Sequence, residues 1–435
     1  MVLARDALGG RRRRGAGGQI YRQADPALHG AEYAEASERR RKHALLDRFA
    51  RAPGIEYRAG TLVFAIFAGP ELHVAENGAT EALRPDAVVL ATGVREMAIP
   101  FPGWTLPGVM LAGGAQAVLK AQGTLPGRSA VIAGAGPLPM VFAAQFLRAG
   151  GAVAALAMLN SPMRALRDPA ALLRGWEISG EGLRYAATVL RHRVPLLTRW
   201  MPVRALGSDR LEAVVLRQLG PDGTLLARER EIACDLLAVN YGFAANSELA
   251  ALAGARMRRD PVGGRWVPVV DDQGRTSVAG VFSAGDAAGL RGAAVAESDG
   301  RVVGAAAADA QPSADAVRRR RQYAGFAGAV RTMLQVPDAA WQVATDDTIV
   351  CRCENVTRAE IAAAVADGHC TPNAVKRNTR AAMGWCGGRM CLHSIEAITE
   401  NMTGVVPDTM MTPRPMVRPV SFAALANRRA EERVK

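Results

Sequence analysis

Ser129-Ala-Val-Ile-Ala133 runs into Gly134-Ala-Gly136-Pro-Leu-Pro139, an apolar helical pattern continues to about Ala149, and a second strand-like run follows from Val153 to Leu156. Strand, glycine turn, helix and strand within ~30 residues form one βαβ unit. That unit places the chain in the α/β class.

Two more segments carry the same sense. Asp86-Ala-Val-Val-Leu-Ala91-Thr92-Gly93 is a buried strand entering a glycine turn, and Val281-Phe-Ser-Ala-Gly285-Asp286 is a strand, an acidic turn and then a small-residue helix. Residues 160–200 read as helical, whereas Leu211 to Leu216 and Glu231 to Val239 read as strands. Residues 310–349, with Gln311-Pro-Ser313 and the arginine run 318–321, read as a helical connector leading to a cysteine-rich tail.

The 435 residues allow two or three domains. The net charge of +13 is arginine-based, since only Lys42, Lys120, Lys376 and Lys435 are lysine. The arginines are scattered, apart from Arg11 to Arg14, Arg39 to Arg41 and Arg318 to Arg321, and no aromatic residues interleave with them, so a nucleic-acid partner is not expected. No apolar run reaches the ~18–20 residues of a membrane span. Arg11 to Arg14 are followed by Gly15-Ala-Gly-Gly-Gln19 instead of an apolar leader core, and a cytoplasmic location is expected.

Five of the six cysteines fall in the last hundred residues, which in this setting favours metal ligation over disulfides. Cys351-Arg-Cys353 and Cys386-Gly-Gly-Arg-Met-Cys391 are two close pairs separated by 32 residues. Four thiolates so spaced suit a structural zinc and an iron–sulfur centre equally well. Thr357-Arg-Ala-Glu360 is a capping-box pattern opening a helix that Gly368 can end. Gly384, Gly387 and Gly388 free the backbone beside the second pair, and Lys376, Arg377, Arg380 and Arg389 would offset thiolate charge. Cys370 reads as a spare helix-end or core thiol, Cys234 as a buried strand residue and His393 as a helix-surface residue. No H-E-x-x-H or G-x-S-x-G pattern is present, and no side-chain acid or base is nominated.

Cys351-Arg-Cys-Glu354, Lys376-Arg-Asn-Thr-Arg380 and Met383-Gly-Trp-Cys-Gly-Gly-Arg-Met-Cys391 resemble the bacterioferritin-associated-ferredoxin type [2Fe–2S] domain. With Phe101-Pro-Gly-Trp-Thr-Leu-Pro-Gly108, Gly134-Ala-Gly-Pro-Leu138 and Gly285-Asp286 in the same order, the chain is similar from roughly residue 17 onward to the flavoprotein subunits of the opine oxidase, D-hydroxyproline dehydrogenase and hydrogen cyanide synthase group. The resemblance implies two interleaved dinucleotide-binding (Rossmann-like) domains plus a small helical C-terminal [2Fe–2S] domain. The expected layout is residues 1–110 and 241–315 as two halves of an FAD-type domain, 111–240 as an inserted NAD(P)-type domain, 316–345 as connector and 346–435 as cluster domain. It further implies FAD at Gly17, Gly18, Gln19, Ala91, Thr92, Gly93, Gly285 and Asp286, and a [2Fe–2S] cluster on Cys351, Cys353, Cys386 and Cys391.

Two departures stand out. The strand and G-x-G-x-x-G turn that open the group have no counterpart before Gly17, and Met1-Val-Leu-Ala corresponds to their second strand. The chain thus reads as N-terminally truncated, and FAD binding is expected to be weakened. At Gly134 and Gly136, the candidate dinucleotide turn, Pro139 stands at the third glycine position, and the second strand ends without a ribose-binding acid. A scaffolding dinucleotide-type fold is therefore preferred there over NAD(P) binding. The expected role is an electron-transfer flavoprotein/iron–sulfur subunit of an amine, opine or imino-acid dehydrogenase. Its expected partners are the catalytic flavoprotein subunit of such a dehydrogenase complex and, as a further candidate, a small ferredoxin-like subunit. The alternatives are a self-contained NAD(P)H-dependent reductase and a non-catalytic scaffold.

Overall fold

In a computed structural model of the chain, the described residues are 2–4, 16–23, 33–161, 168–260 and 266–429. The βαβ unit lies at the centre of a five-stranded parallel sheet ordered Leu196–Thr198, Ala152–Met158, Ser129–Gly134, Leu236–Asn240 and Val109–Leu111. Its inner strands are buried on both faces, which is why they read as unbroken apolar runs. One face carries the helices Ala112–Gln122, Leu138–Arg148 and Trp176–Arg191, packed through Leu119, Phe142, Phe146, Tyr185 and Val189. The other face is covered by an antiparallel sheet of Trp200–Leu206, Ala213–Leu219 and Leu225–Ala233.

The expected single strand from Glu231 to Val239 is in fact two. A break at Cys234-Asp235 sends the chain from the antiparallel sheet into the parallel one, and Asp235 secures the turn by accepting from the N–H groups of Arg128 and Ser129. Cys234 is buried there, and burial pushes its thiol up to about 11.

A second α/β region pairs Val88–Leu90 with Val281–Ser283 in parallel, beside the antiparallel strands Leu62–Phe67, Glu71–Glu76 and Ala79–Leu83. The chain passes from this region to the first through Val94–Glu96 and returns through Phe243–Ala245, and the two crossings pair with each other. Helix Ala314–Arg331, capped by Ser313, leads out toward the cysteine-rich part. There the hairpin Ile349–Cys351/Val356–Thr357 and the helices Arg358–Ala366, Pro372–Thr379 and Leu392–Thr403 close around Val350, Ile361, Val375 and Ile395. The capping box of Thr357 and Glu360 forms as the spacing predicts.

The arginine runs are largely tied down within the fold. Arg41 makes a two-pronged contact with Glu181, Arg318 and Arg319 hold Asp315, and Arg320 reaches the buried Asp299. Arg11 to Arg14 lie outside the described residues. Among the described residues no helix is long and apolar enough to cross a membrane.

Candidate redox centre

The four thiols are brought to one place by two loops. Cys351 ends the short hairpin strand, Cys353 lies in the turn after it, Cys386 sits in the glycine loop, and Cys391 caps helix Leu392–Thr403. Cys351 lies beside Cys391, and Cys353 beside Cys386. The neighbouring Cys391 thiol, assisted by the N–H groups of Ala382, Glu354 and Cys353, pulls Cys351 down to about 6. Burial, together with the Cys386 sulfur, pushes Cys353 up to about 11. Among the described residues no three Cys, His, Asp or Glu side chains converge tightly enough to hold one metal ion. Charge coupling runs across the pairs as well, from Cys353 to Cys351 and from Cys391 to Cys386, so the four sulfurs form one cluster of thiols. The backbone allows the close approach. A Cβ on Gly384 would lie 2.2 Å from Cys353 Cβ, and Gly387 and Gly388 hold φ of 63° and 81°.

Two contacts fasten this loop pair to the rest of the molecule. Trp104, from the Pro- and Gly-rich stretch after the first crossing, donates its indole N–H to the Ile349 carbonyl at 2.7 Å, and the Arg352 guanidinium stacks on its ring. On the other side Arg389, only 4% exposed, donates to the carbonyls of Cys386 and Val417. Glu248 lies 3.2 Å from Arg389 and 3.2 Å from Arg95. Arg95 follows Gly93 closely, on the crossing strand, and binds the Ala245 carbonyl. Burial works to raise the Glu248 carboxyl, but the two guanidiniums win and hold it below its ordinary range. Of these residues the sequence singled out only Arg389, for its charge. Glu248 and Arg95 fall in no recognisable pattern.

The proposed flavin segments also meet in part. Leu90 pairs with Ser283, the Ala284 N–H bonds to the Leu90 carbonyl, and so Ala91-Thr92-Gly93 and Gly285-Asp286 leave adjacent strand ends. Thr92 Oγ1 donates to the Asn246 carbonyl at 2.6 Å, while the Asn246 side chain returns a bond to the Thr92 carbonyl. Asp286 accepts from the N–H groups of Arg291 and Gly292, which fixes the loop leading into helix Ala293–Ala307. Burial pushes its carboxyl upward against those two donors. Space is open where a Cβ would stand on Gly93 and on Gly292, both at positive φ. Gly17, Gly18 and Gln19 form a turn in which the Gly17 carbonyl accepts from the Tyr21 N–H, and Tyr21 in turn interacts with Arg41. The two strand-end turns thus lie side by side.

The turn at Gly134 and Gly136 is closed. The Gly136 N–H, the kind of donor that faces a phosphate at a helix N-terminus, bonds instead to the Met333 carbonyl at 2.9 Å. A Cβ on Gly136 would come within 2.3 Å of Leu334. Asn160, just past the second strand, clasps the same segment through the carbonyls of Met333 and Gln335. Pro139 is no obstacle, since it sits in the first turn of helix Leu138–Arg148, where no N–H is missed. The physical obstruction is the connector, residues 332–335.

One expectation is corrected. His393 is buried, with Nδ1 3.5 Å from the equally buried Glu396, and is not on the helix surface. Cys370, expected at a helix end or in the core, is exposed next to Thr371, the N-cap of helix Pro372–Thr379.

A family model for pyridine nucleotide-disulphide oxidoreductases matches residues 21–300, and one for the BFD-like [2Fe-2S] binding domain matches residues 349–401. The chain is 34% identical to an opine oxidase subunit of Agrobacterium tumefaciens, covering 80% of this chain and 71% of that protein. It is 31% identical to hydrogen cyanide synthase subunit HcnB of Pseudomonas aeruginosa, covering 94% and 91%. The structure of L-proline dehydrogenase from P. horikoshii shares the fold with a TM-score of 0.64 at 17% identity, covering 94% of this chain and 72% of that one.

Proposed function

The chain belongs to the pyridine nucleotide-disulphide oxidoreductase family and is an FAD-dependent oxidoreductase chain with a BFD-like [2Fe-2S] domain; from that premise we propose that it is the electron-transfer subunit of a multi-subunit dehydrogenase acting on C–N bonds. The similar chains are themselves named as subunits, which supports a catalytic flavoprotein partner that oxidises an amine, opine or imino acid. A bound flavin takes up electrons in pairs and a [2Fe–2S] cluster hands them on singly.

The observation that carries this reading is the Arg95–Glu248–Arg389 bridge. It ties the strand leaving Gly93 to the backbone of Cys386 through buried charged contacts. The residues of this chain thus hold two redox sites in a fixed relation. Cys351, Cys353, Cys386 and Cys391 would ligate the cluster. Ala91, Thr92, Gly93, Gly285 and Asp286, with Gly17, Gly18 and Gln19, would hold FAD. The inserted fold at Gly134 and Gly136 serves as scaffold, because the connector occupies the place of a nucleotide phosphate. This counts against the self-contained NAD(P)H reductase.

The test is anaerobic. The purified complex, given its amine substrate, should bleach its flavin and develop the EPR signal of a reduced cluster. Rapid bleaching by NADH or NADPH alone would overturn the assignment, and absence of any extractable flavin would leave only a scaffold.

A further inference from the structure

Helix Trp176–Arg191 is amphipathic twice over. Glu181, Tyr185 and Val189 are buried, the last two against the parallel sheet's helical layer. The opposite face carries Trp176, Gly180, Leu183, Ala187 and Leu190, spaced four, three, four and three residues apart. Trp176, Leu183 and Leu190 are 66%, 72% and 65% exposed, and Leu173, in the short helix Pro169–Arg174 just before, is 73% exposed. Large apolar side chains left in water at the seam spacing of a coiled coil mark a surface built to be covered.

The order of sizes along the seam identifies what covers it. Large residues at 176, 183 and 190 alternate with small ones at 180 and 187, and a Cβ on Gly180 would meet only the tip of Arg184. In an antiparallel pair the two kinds of seam position face each other across the interface. Centring a two-fold axis beside residues 181 and 182 sets Trp176 over Ala187 of a second copy and Leu183 over its Gly180, a large side chain meeting a small one in both, while Leu190 comes level with the second copy's exposed Leu173. The same operation returns the same contacts in reverse, as an isologous interface requires. On the flanking edge Glu177 of each copy comes beside Arg184 of the other, whose half-exposed guanidinium already holds Glu35 of its own chain at 3.1 Å. A face made for an unrelated chain has no need to complement itself. We propose that this helix is a homodimer interface, the two copies pairing antiparallel through Trp176, Gly180, Leu183, Ala187 and Leu190.

The experiment is mass measurement by sedimentation velocity on the purified chain, with and without its catalytic partner, at about 1 to 50 µM. The unaltered chain should sediment as a dimer, and Leu183→Arg, a change on an exposed position, should weaken that dimer at least ~100-fold by burying an unpaired charge. Iron and flavin contents should stay unchanged as proof of folding. In a Cys370→Ser background, Gly180→Cys combined with Leu183→Cys should trap a covalent dimer on mild oxidation. A monomer at ~50 µM, a dimer indifferent to Leu183→Arg, or no trapped dimer would each overturn the proposal. So would loss of the catalytic partner from Leu183→Arg with the mass of the isolated chain unchanged, since that outcome assigns the face to the other subunit.

Discussion

The Arg389 guanidinium donates a 2.7 Å hydrogen bond to the carbonyl oxygen of Cys386 from a position almost sealed from solvent. One carboxylate, Glu248, faces two guanidiniums there, so the backbone of a proposed cluster ligand sits against a net positive charge.

That excess charge stabilises the more negative, reduced cluster. Arg389→Gln should lower the midpoint potential by ~30–60 mV, and Glu248→Gln, which leaves Arg389 held by its two carbonyls, should raise it by a similar amount. EPR-monitored redox titration reads both. Shifts of the same sign in the two variants would mean that the bridge acts only through packing.

Removing a single thiol tests the paired geometry. Cys353→Ala takes one sulfur from the Cys353/Cys386 pair, and the purified chain should then lose most of its iron together with labile sulfide, in equal proportion. A chain that binds zinc without sulfide would refute the cluster.

The closed glycine turn makes a prediction of its own. Gly136→Ala should cost ~2–3 kcal/mol, partly from its φ of 76° and partly from the clash with Leu334. Adding Leu334→Ala should recover the clash share, a coupling of ~1–2 kcal/mol in a denaturation double-mutant cycle. Strict additivity would show that the two residues do not meet.

Glu96 gives the pH dependence. Burial pushes its carboxyl up to about 7, against the N–H groups of Gly113 and Gly114 and the Asn240 amide. The folded chain therefore keeps a proton that the unfolded chain has released. Stability from this group is intact below ~4.5 and falls as pH rises toward ~7, by roughly 3 kcal/mol in all. Thermal unfolding across pH 4.5 to 8 should show that slope, and Glu96→Gln should flatten it.

The gathering of the four thiols was legible in the sequence because it needs one residue type in close pairs, and the α/β class because buried parallel strands must be apolar throughout. The glycine turn of the inserted fold drew notice for Pro139 and for a missing ribose-binding acid, and neither marks what fills it. Pro139 drew attention as a departure, yet it fits the helix, while the residue in the way, Leu334, stands some two hundred positions on with nothing local to mark it. Trp104 lay within a quoted stretch, but its bond to Ile349 joins segments whose meeting no spacing announces. Likewise, His393 faces Glu396 one turn on in its own helix, and the partner of that carboxylate, Arg259, comes from a distant part of the chain.

The segment stopping the glycine turn is also the tether of the cluster domain, since Met333, Leu334 and Gln335 lead directly to the hairpin that begins at Ile349. Anything entering that turn must displace the tether, and displacing it pulls on the hairpin that Trp104 and Arg389 hold in register. A glycine turn filled by its own chain is, in this molecule, the anchorage of the cysteine-rich domain.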